Sequence, residues 1–260
     1  MRLLFLGTGA GCGVPSFYCD CLSCREARDN REWRRSRCSI ALLGDEITLV
    51  DAPPELRTQL IRENILHIDR LILTHWHYDH FGGLGDLEFF VRMKRETALP
   101  AAMSSPTLRK FQHGFDFMGD CLLAHEVEHG SSWEFDNMTC LFLEAQHCEG
   151  SLGLLFQHQG RRTAYFPDSG PLPERTFQIL KGLDTLIFDA TFWGENWMEK
   201  QHQSVESAIS TGRELGAEHI ILTHLSMHYD QPVSMEELNQ YLERWDGRVS
   251  FAFDGLTISL

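Results

Sequence analysis

The sequence predicts an α/β layered domain. Two observations lead there. Short apolar runs of strand length recur along the chain, with helical patterns between them. No linker, fixed-period repeat or low-complexity stretch divides the 260 residues, a length that suits one large domain. A fold of this size buries roughly 70–75% of its unfolded surface and needs no disulfide staples.

The strands expected from β-branched and aromatic runs lie at 3–6, 40–43, 47–50, 70–73, 122–127, 139–145, 153–157, 163–166, 185–188, 220–222, 249–253 and 256–259. Helical spacing of apolar residues marks 54–64, 106–118, 173–181, 205–215 and 234–245. The last has a start signal, Ser234 with Glu237 three residues on, which reads as a capping box. Segment 194–203 is polar and aromatic without strand pattern, and reads as a functional loop.

Bulk composition excludes several functions. A formal net charge of -14 argues against nucleic acid or an anionic membrane as partner, because both reward clustered Lys and Arg. It leaves room for a small anionic substrate held by metals. The opening residues run quickly into glycines and do not read as a signal peptide. No stretch reaches the roughly 20 apolar residues of a membrane span. A cytoplasmic protein is expected, with its eight cysteines reduced and fit for metal binding.

The strongest local signal is Thr74-His75-Trp76-His77-Tyr78-Asp79-His80, directly after an apolar run and before Phe81-Gly82-Gly83. Composition alone yields such a pattern in roughly one chain of this length in 500. A strand puts alternate side chains on one face, so His75 and His77 point the same way. Asp79 and His80 reach the other side of a shared cavity if the chain turns near Phe81. Three further positions follow strand-like runs: His147, Asp168 and His224. Asp51 follows strand 47–50 and is placed to orient a ligand histidine from behind.

Together these segments resemble the metallo-β-lactamase superfamily. Leu6-Gly7-Thr8-Gly9, Leu49-Val50-Asp51, the THWHYDHFGG run, His147, Pro167-Asp168-Ser169 and Leu222-Thr223-His224 carry the resemblance across most of the chain. Within the superfamily the chain is similar to PhnP-type phosphoribosyl cyclic phosphodiesterases. That narrower likeness rests on Gly11-Cys12-Gly13-Val14-Pro15, the Cys19/Cys21/Cys24 cluster, Arg34-Arg35 before Cys38-Ser39, and His202. PqqB proteins of cofactor biosynthesis share a similar opening.

The resemblance implies a four-layer αββα sandwich, two mixed sheets flanked by helices, spanning 1–260 with a Cys-rich zinc-binding loop at about 12–38. It implies a dinuclear centre of Zn, Mn or Fe. His75, His77 and His147 would hold one ion; Asp79, His80 and His224 the other; Asp168 would bridge them. Such a pair shares a hydroxide that attacks the substrate. Asp79 and His202 are the candidate catalytic residues, His202 as phosphate contact or proton donor to the leaving oxygen.

Three thiols in six residues favour a closed tetrahedral zinc. The family's fourth ligand falls here on Met227, a poor zinc ligand, so His228 is taken instead, with Cys38 and Cys12 as alternatives. Arg34, Arg35 and Arg37 read as solvated surface or, for Arg34 or Arg35, as a phosphate contact. Trp193 and Trp197 either wall the site or simply pack. The expected activity is hydrolysis of a small cyclic phosphate ester of the 5-phosphoribosyl 1,2-cyclic phosphate type. The alternatives are a thioesterase or lactonase on the same centre, or a non-hydrolytic PqqB-like protein. A small phosphate ester is the expected partner, and a homodimer is allowed.

Overall fold

The computed structural model describes residues 1–229 and 231–260. Among the described residues fourteen strands form two seven-stranded sheets. In chain order the strands are β1 (Arg2–Gly7), β2 (Ser39–Leu43), β3 (Ile47–Val50), β4 (Arg70–Ile72), β5 (Leu99–Met103), β6 (Leu122–Glu126), β7 (Ser132–Phe135), β8 (Met138–Glu144), β9 (Leu152–His158), β10 (Arg161–Phe166), β11 (Thr185–Asp189), β12 (His219–Thr223), β13 (Val249–Phe251) and β14 (Thr257–Ser259). One sheet runs β14-β1-β2-β3-β4-β5-β6 and the other β13-β12-β11-β10-β9-β8-β7. Both are mixed: β3 to β6 are parallel, as are β10 to β13, and the remaining neighbours are antiparallel.

The period-two alternation of strand side chains builds four layers. Leu3 and Phe5 of β1 face the second sheet, while Leu4 and Leu6 face helices. Ile187 of β11 and Ile221 of β12 close the same inter-sheet layer. Their neighbours Leu186, Phe188, Ile220 and Leu222 pack outward against other helices. The result is helices, sheet, sheet, helices, the αββα sandwich that the resemblance implied.

The helices are α1 (Leu22–Asp29), α2 (Leu56–Arg62), α3 (Tyr78–Phe81), α4 (Asp86–Phe90), α5 (Ser105–Gly114), α6 (Glu174–Ile179), α7 (Val205–Glu214) and α8 (Met235–Leu242). The Ser234–Glu237 capping box is formed, each side chain bonding the other's backbone N–H. Ser204 and Ser207 cap α7 in the same way.

Several elements depart from the sequence reading. β5 carries Pro100 and two alanines, so it lacks the β-branched signature, yet it pairs on both sides. β7 is four residues long and mostly solvated, too short for a pattern to show. α1 was not foreseen because only Ser23, Cys24 and Ala27 of its eight residues are buried. α3 and α4 hide among glycines 82, 83 and 85, and a π-helical turn, Val91–Arg95, follows them. Among the described residues no helix is long and apolar enough to cross a membrane.

Candidate metal centre

Parallel strands end at one edge of the sandwich, and the chemistry-bearing side chains collect there. His75 and His77 follow β4. The one-turn helix α3 begins at Tyr78 and turns Asp79 and His80 inward. Asp168 lies two residues past β10, Asp189 ends β11 and His224 directly follows β12. The in-register pairing of these three parallel strands sets their ends side by side. Asp51 and His224 adopt left-handed φ values of 65° and 57°. Non-glycine residues take that conformation seldom, aspartate and histidine more readily than most.

Ligand-capable atoms of His75, His77 and His147 lie within 4.8 Å of one another, as do those of Asp79, His80, Asp168 and His224. The two groups share a floor: Asp168 Oδ2 is 3.4 Å from His75 Nε2 and 2.7 Å from His80 Nε2, and its Oδ1 is 3.1 Å from His224 Nε2. His147 Nε2 is 2.9 Å from His77 Nδ1.

Around the rings, a second set of polar groups fixes which nitrogen faces inward. His75 Nδ1 meets the Thr74 hydroxyl at 3.0 Å, and that hydroxyl donates to Asp51 Oδ2 at 2.8 Å. The same Asp51 oxygen holds His80 Nδ1 at 2.8 Å. His147 Nδ1 donates to the Gln201 carbonyl at 2.9 Å, and His224 Nδ1 meets the Thr191 hydroxyl at 2.8 Å. Each of these four rings therefore turns Nε2 toward the centre.

The donor set fits divalent cations. His75 Nε2, His80 Nε2 and Asp168 Oδ1 are buried and crowded by neighbouring ligand-capable atoms at 2.7 to 3.4 Å, yet none of the three makes a well-aligned hydrogen bond. Native proteins rarely leave buried polar atoms so, and a metal or ordered water is the usual resolution. The charges agree. Burial pulls the His80 imidazole down, but the Asp168, Asp79 and Asp51 carboxylates outweigh it and raise it well above the usual histidine range. Burial would push Asp168 up, but His224, His147 and His80 hold it well below the usual carboxylate range. Burial, with the charge of nearby histidines, drives His75 well below its ordinary value, which keeps its lone pair free. Carboxylates and convergent imidazole nitrogens are the donor set that a hard or borderline cation binds, and a cation there would displace the proton that the carboxylates hold on His80.

His202 sits beside this group. Its Nδ1 is 2.8 Å from Asp189 Oδ2 and 3.3 Å from Asp168 Oδ1, and its ring stacks on His224 at 5.5 Å between centroids. Burial pulls its imidazole down, but Asp189 and Asp168 reverse this and raise it to about 10. Sequence reasoning missed Asp189, Thr191 and Thr74. Asp189 and Thr191 lie outside the histidine-rich motif, and only strand register brings them to the site.

A second cluster joins Cys19, Cys21, Cys24 and His228, whose ligand-capable atoms also lie within 4.8 Å of one another. The Ser23 hydroxyl bonds the carbonyls of Met227 (2.7 Å) and Val233 (2.6 Å), fastening α1 to the segment after His224. Met227 is buried in the core. Cys38 instead contacts Thr223 Oγ1, and Cys12 contacts the Tyr18 and Tyr229 hydroxyls. The structure gives Arg34 and Arg35 no place at the metal centre. Arg34 donates to the carbonyls of Ala27 and Arg28, and buried Arg35 donates to Thr8 Oγ1 and the Ala252 carbonyl. Backbone carbonyls, abundant where loops cross, took these guanidinium groups. Trp193 packs on Tyr241, while Trp197 stands at the rim against Phe192.

Comparison with known proteins follows the same lines. The profile of a family described as "Beta-lactamase superfamily domain" matches residues 47–225, more than half of the chain. A crystal structure of a new diphosphatase from the PhnP family superposes with a TM-score of 0.85 at 27% identity, covering 100% of this chain and 97% of that one. An octanoyltransferase of Porphyromonas gingivalis is 29% identical over 98% of this chain. The chain spans about half of that protein's length, 51%. A coenzyme PQQ synthesis protein B of Methylobacterium nodulans is 28% identical over 76% of this chain and 75% of its own.

Proposed function

The chain belongs to the beta-lactamase superfamily and lies close to its PhnP type, and from that premise we propose that it hydrolyses a phosphate ester through two divalent metal ions. The observation that carries the reading is that two ligand-capable groups, His75, His77 and His147 beside Asp79, His80, Asp168 and His224, meet at the buried Asp168 carboxylate. His75, His77 and His147 would hold one ion and Asp79, His80 and His224 the other, with Asp168 between them. Bound there, the ions would supply Lewis acidity, making water a nucleophile at neutral pH and neutralising charge on the substrate.

The protein's own groups supply the rest. Asp51 and Thr74 lock the rings of His80 and His75. Asp189 holds His202 Nδ1, leaving the opposite nitrogen to give its proton to the leaving oxygen as the phosphorus–oxygen bond breaks. Water's oxygen bonds phosphorus as one phosphorus–oxygen bond breaks, and the leaving oxygen becomes a neutral hydroxyl, which in a cyclic ester stays on the opened sugar. The PhnP-family likeness supports a small phosphate ester, and we take a ribosyl 1,2-cyclic phosphate bearing a 5-phosphate as the first substrate to try. Cys19, Cys21, Cys24 and His228 would hold one zinc, tying the N-terminal loop to the rim that bears His224.

A second reading is hydrolysis of an acyl ester or thioester on the same centre, favoured by the likeness to a protein named octanoyltransferase. The relatives named PQQ synthesis protein B support a third, a role in cofactor synthesis. Purified protein loaded with Zn or Mn and assayed on a cyclic ribose phosphate, bis-p-nitrophenyl phosphate and an octanoyl thioester separates these. Turnover of the thioester alone would reject the phosphoesterase, and turnover of none would favour the third reading.

A further inference from the structure

The arginine run that the metal centre leaves unused lines a cavity of its own. It holds about 580 Å3 and lies between the glycine turn at 12–15, the segment at 31–36 and helix α2 with its leading residue Glu55. None of the seven residues proposed as active-site metal ligands lines it. Val14 and Arg35 exchange backbone hydrogen bonds at 2.9 and 2.8 Å, joining two of its walls.

Four arginines line the cavity: Arg31, Arg34, Arg35 and Arg62. Arg62 is held by Asp254 at 3.1 Å and Glu63 at 2.6 Å. The other three have no carboxylate in ion-pair contact among the described residues. Arg34 donates through Nε and Nη2 to backbone carbonyls, which leaves Nη1 free. Arg35 is 3% exposed, donates through Nη1 to the Thr8 hydroxyl and the Ala252 carbonyl, and its Nε bonds nothing. A buried charge without an opposite charge in contact is costly. Burial pulls the Arg35 guanidinium down to about 10 although Asp254 acts against this. Asp254 already accepts from Thr8, Ser36 and Arg62. At the other end of the cavity, Glu55 Oε1 takes Arg37 at 2.6 Å, while Oε2 is buried without a partner. Against the four arginines stand three lining carboxylates, Glu32, Glu55 and Asp254, so the lining is positive in a chain of formal net charge -14.

We propose that this cavity is a second ligand site, separate from the metal centre, for a small phosphate monoester that also bears hydroxyl groups. The phosphate lies against Arg31 and Arg34 over the buried Arg35, and a hydroxyl donates to Glu55 Oε2. A phosphate monoester brings about 1.5 to 2 negative charges and three acceptor oxygens, enough for more than one guanidinium, and arginine meets such oxygens in pairs. A carboxylate, with one charge, satisfies fewer of these donors. The size suits a small ligand rather than a bare ion. The site stands whatever reaction the metal centre performs.

Calorimetry on the metal-loaded full-length protein, with glycerol 3-phosphate as the probe, tests this. Binding is expected in the wild type and, within about twofold, in Asp168→Ala, whose metal centre is disabled. Arg31→Ala and Arg34→Ala, both at exposed positions, should each weaken binding about tenfold in the Asp168→Ala background, with circular dichroism unchanged. Inorganic phosphate should bind about threefold less tightly than the probe, and Glu55→Ala should remove that difference. D-Glycerate, the carboxylate control, should bind at least about tenfold less tightly. Loss of binding in Asp168→Ala with none in the arginine variants places the anion on the metals and overturns the proposal. So does no binding at all, D-glycerate binding as tightly as the probe, or inorganic phosphate matching it in the wild type.

Discussion

Asp189 Oδ2 lies 2.8 Å from His202 Nδ1, and the same carboxylate's other oxygen accepts the Thr191 hydroxyl at 2.7 Å. A carboxylate anchored at the end of β11 thus aims an imidazole carried by the loop after it. The pair is buried, so the orientation is fixed rather than averaged.

Asp189→Asn should therefore lower kcat by about a hundredfold with little change in KM, on esters with a poor leaving group. p-Nitrophenyl esters should lose far less, since p-nitrophenolate departs without a proton. The pH profile carries the sign. Asp189 and Asp168 hold His202 up, so its acid form persists below the raised value and is lost above it. Removing one carboxylate should move the alkaline limb of kcat/KM to lower pH. Equal losses on both ester classes with an unmoved limb would reduce Asp189 to a structural part.

Asp168 touches His75, His80, His202 and His224 at distances from 2.7 to 3.4 Å. No other carboxylate among the described residues reaches as many of the histidines proposed as ligands. Asp168→Ala should drop turnover by at least about a thousandfold and reduce the active-site metal from two ions to at most one. Inductively coupled plasma mass spectrometry reads the count. Full activity with two ions retained would remove Asp168 from the bridging position.

Much of this site was legible because metal chemistry restricts residue type and spacing together. The run from His75 to His80 is local, and its register follows from a strand meeting a short helix. His147, Asp168 and His224 were legible only as residues following strand-like runs. Asp189 was not, because an aspartate ending a strand has no signature until parallel pairing sets it beside Thr223. Likewise β5 was invisible, because burial between two neighbours overrides the poor propensity of Pro100 and its alanines. The arginine run read as solvated surface or, for Arg34 or Arg35, as a phosphate contact; the structure instead buries Arg35 and gives both side chains backbone carbonyls as partners.

The thiol cluster carries its own prediction. Without metal, burial pushes the Cys24 thiol up to about 12, so it is protonated and uncharged at neutral pH. Zinc must displace that proton, and its affinity should fall as pH falls. Cys24→Ser should lose one zinc per chain, leave the other metals in place, and lower Tm by roughly 5–10 °C if the ion contributes about 2–3 kcal/mol. Proton release on adding zinc to the chelator-treated protein, followed in weak buffer, checks the linkage. An unchanged zinc count in the variant would contradict the site.

Two glycines near the centre should separate stability from activity. A Cβ on Gly83 would sit 2.0 Å from the Pro53 carbonyl oxygen, a backbone atom that cannot yield. Gly83→Ala must open the contact between the segment after α3 and the loop before α2, and should cost about 1–3 kcal/mol by denaturant unfolding. A Cβ on Gly11 meets something softer, Asp79 Oδ2 at 3.2 Å, and nothing else within 3.4 Å. The side chain can give by a few tenths of an ångström, so Gly11→Ala should fold with nearly unchanged stability. The atom that gives is a proposed metal ligand, and small displacements of catalytic groups are felt steeply in rate. Gly11→Ala should lose about tenfold in kcat, with weakened metal retention on dialysis. If Gly11→Ala instead unfolds as readily as Gly83→Ala while keeping full activity per folded molecule, the glycine serves the turn and not the carboxylate.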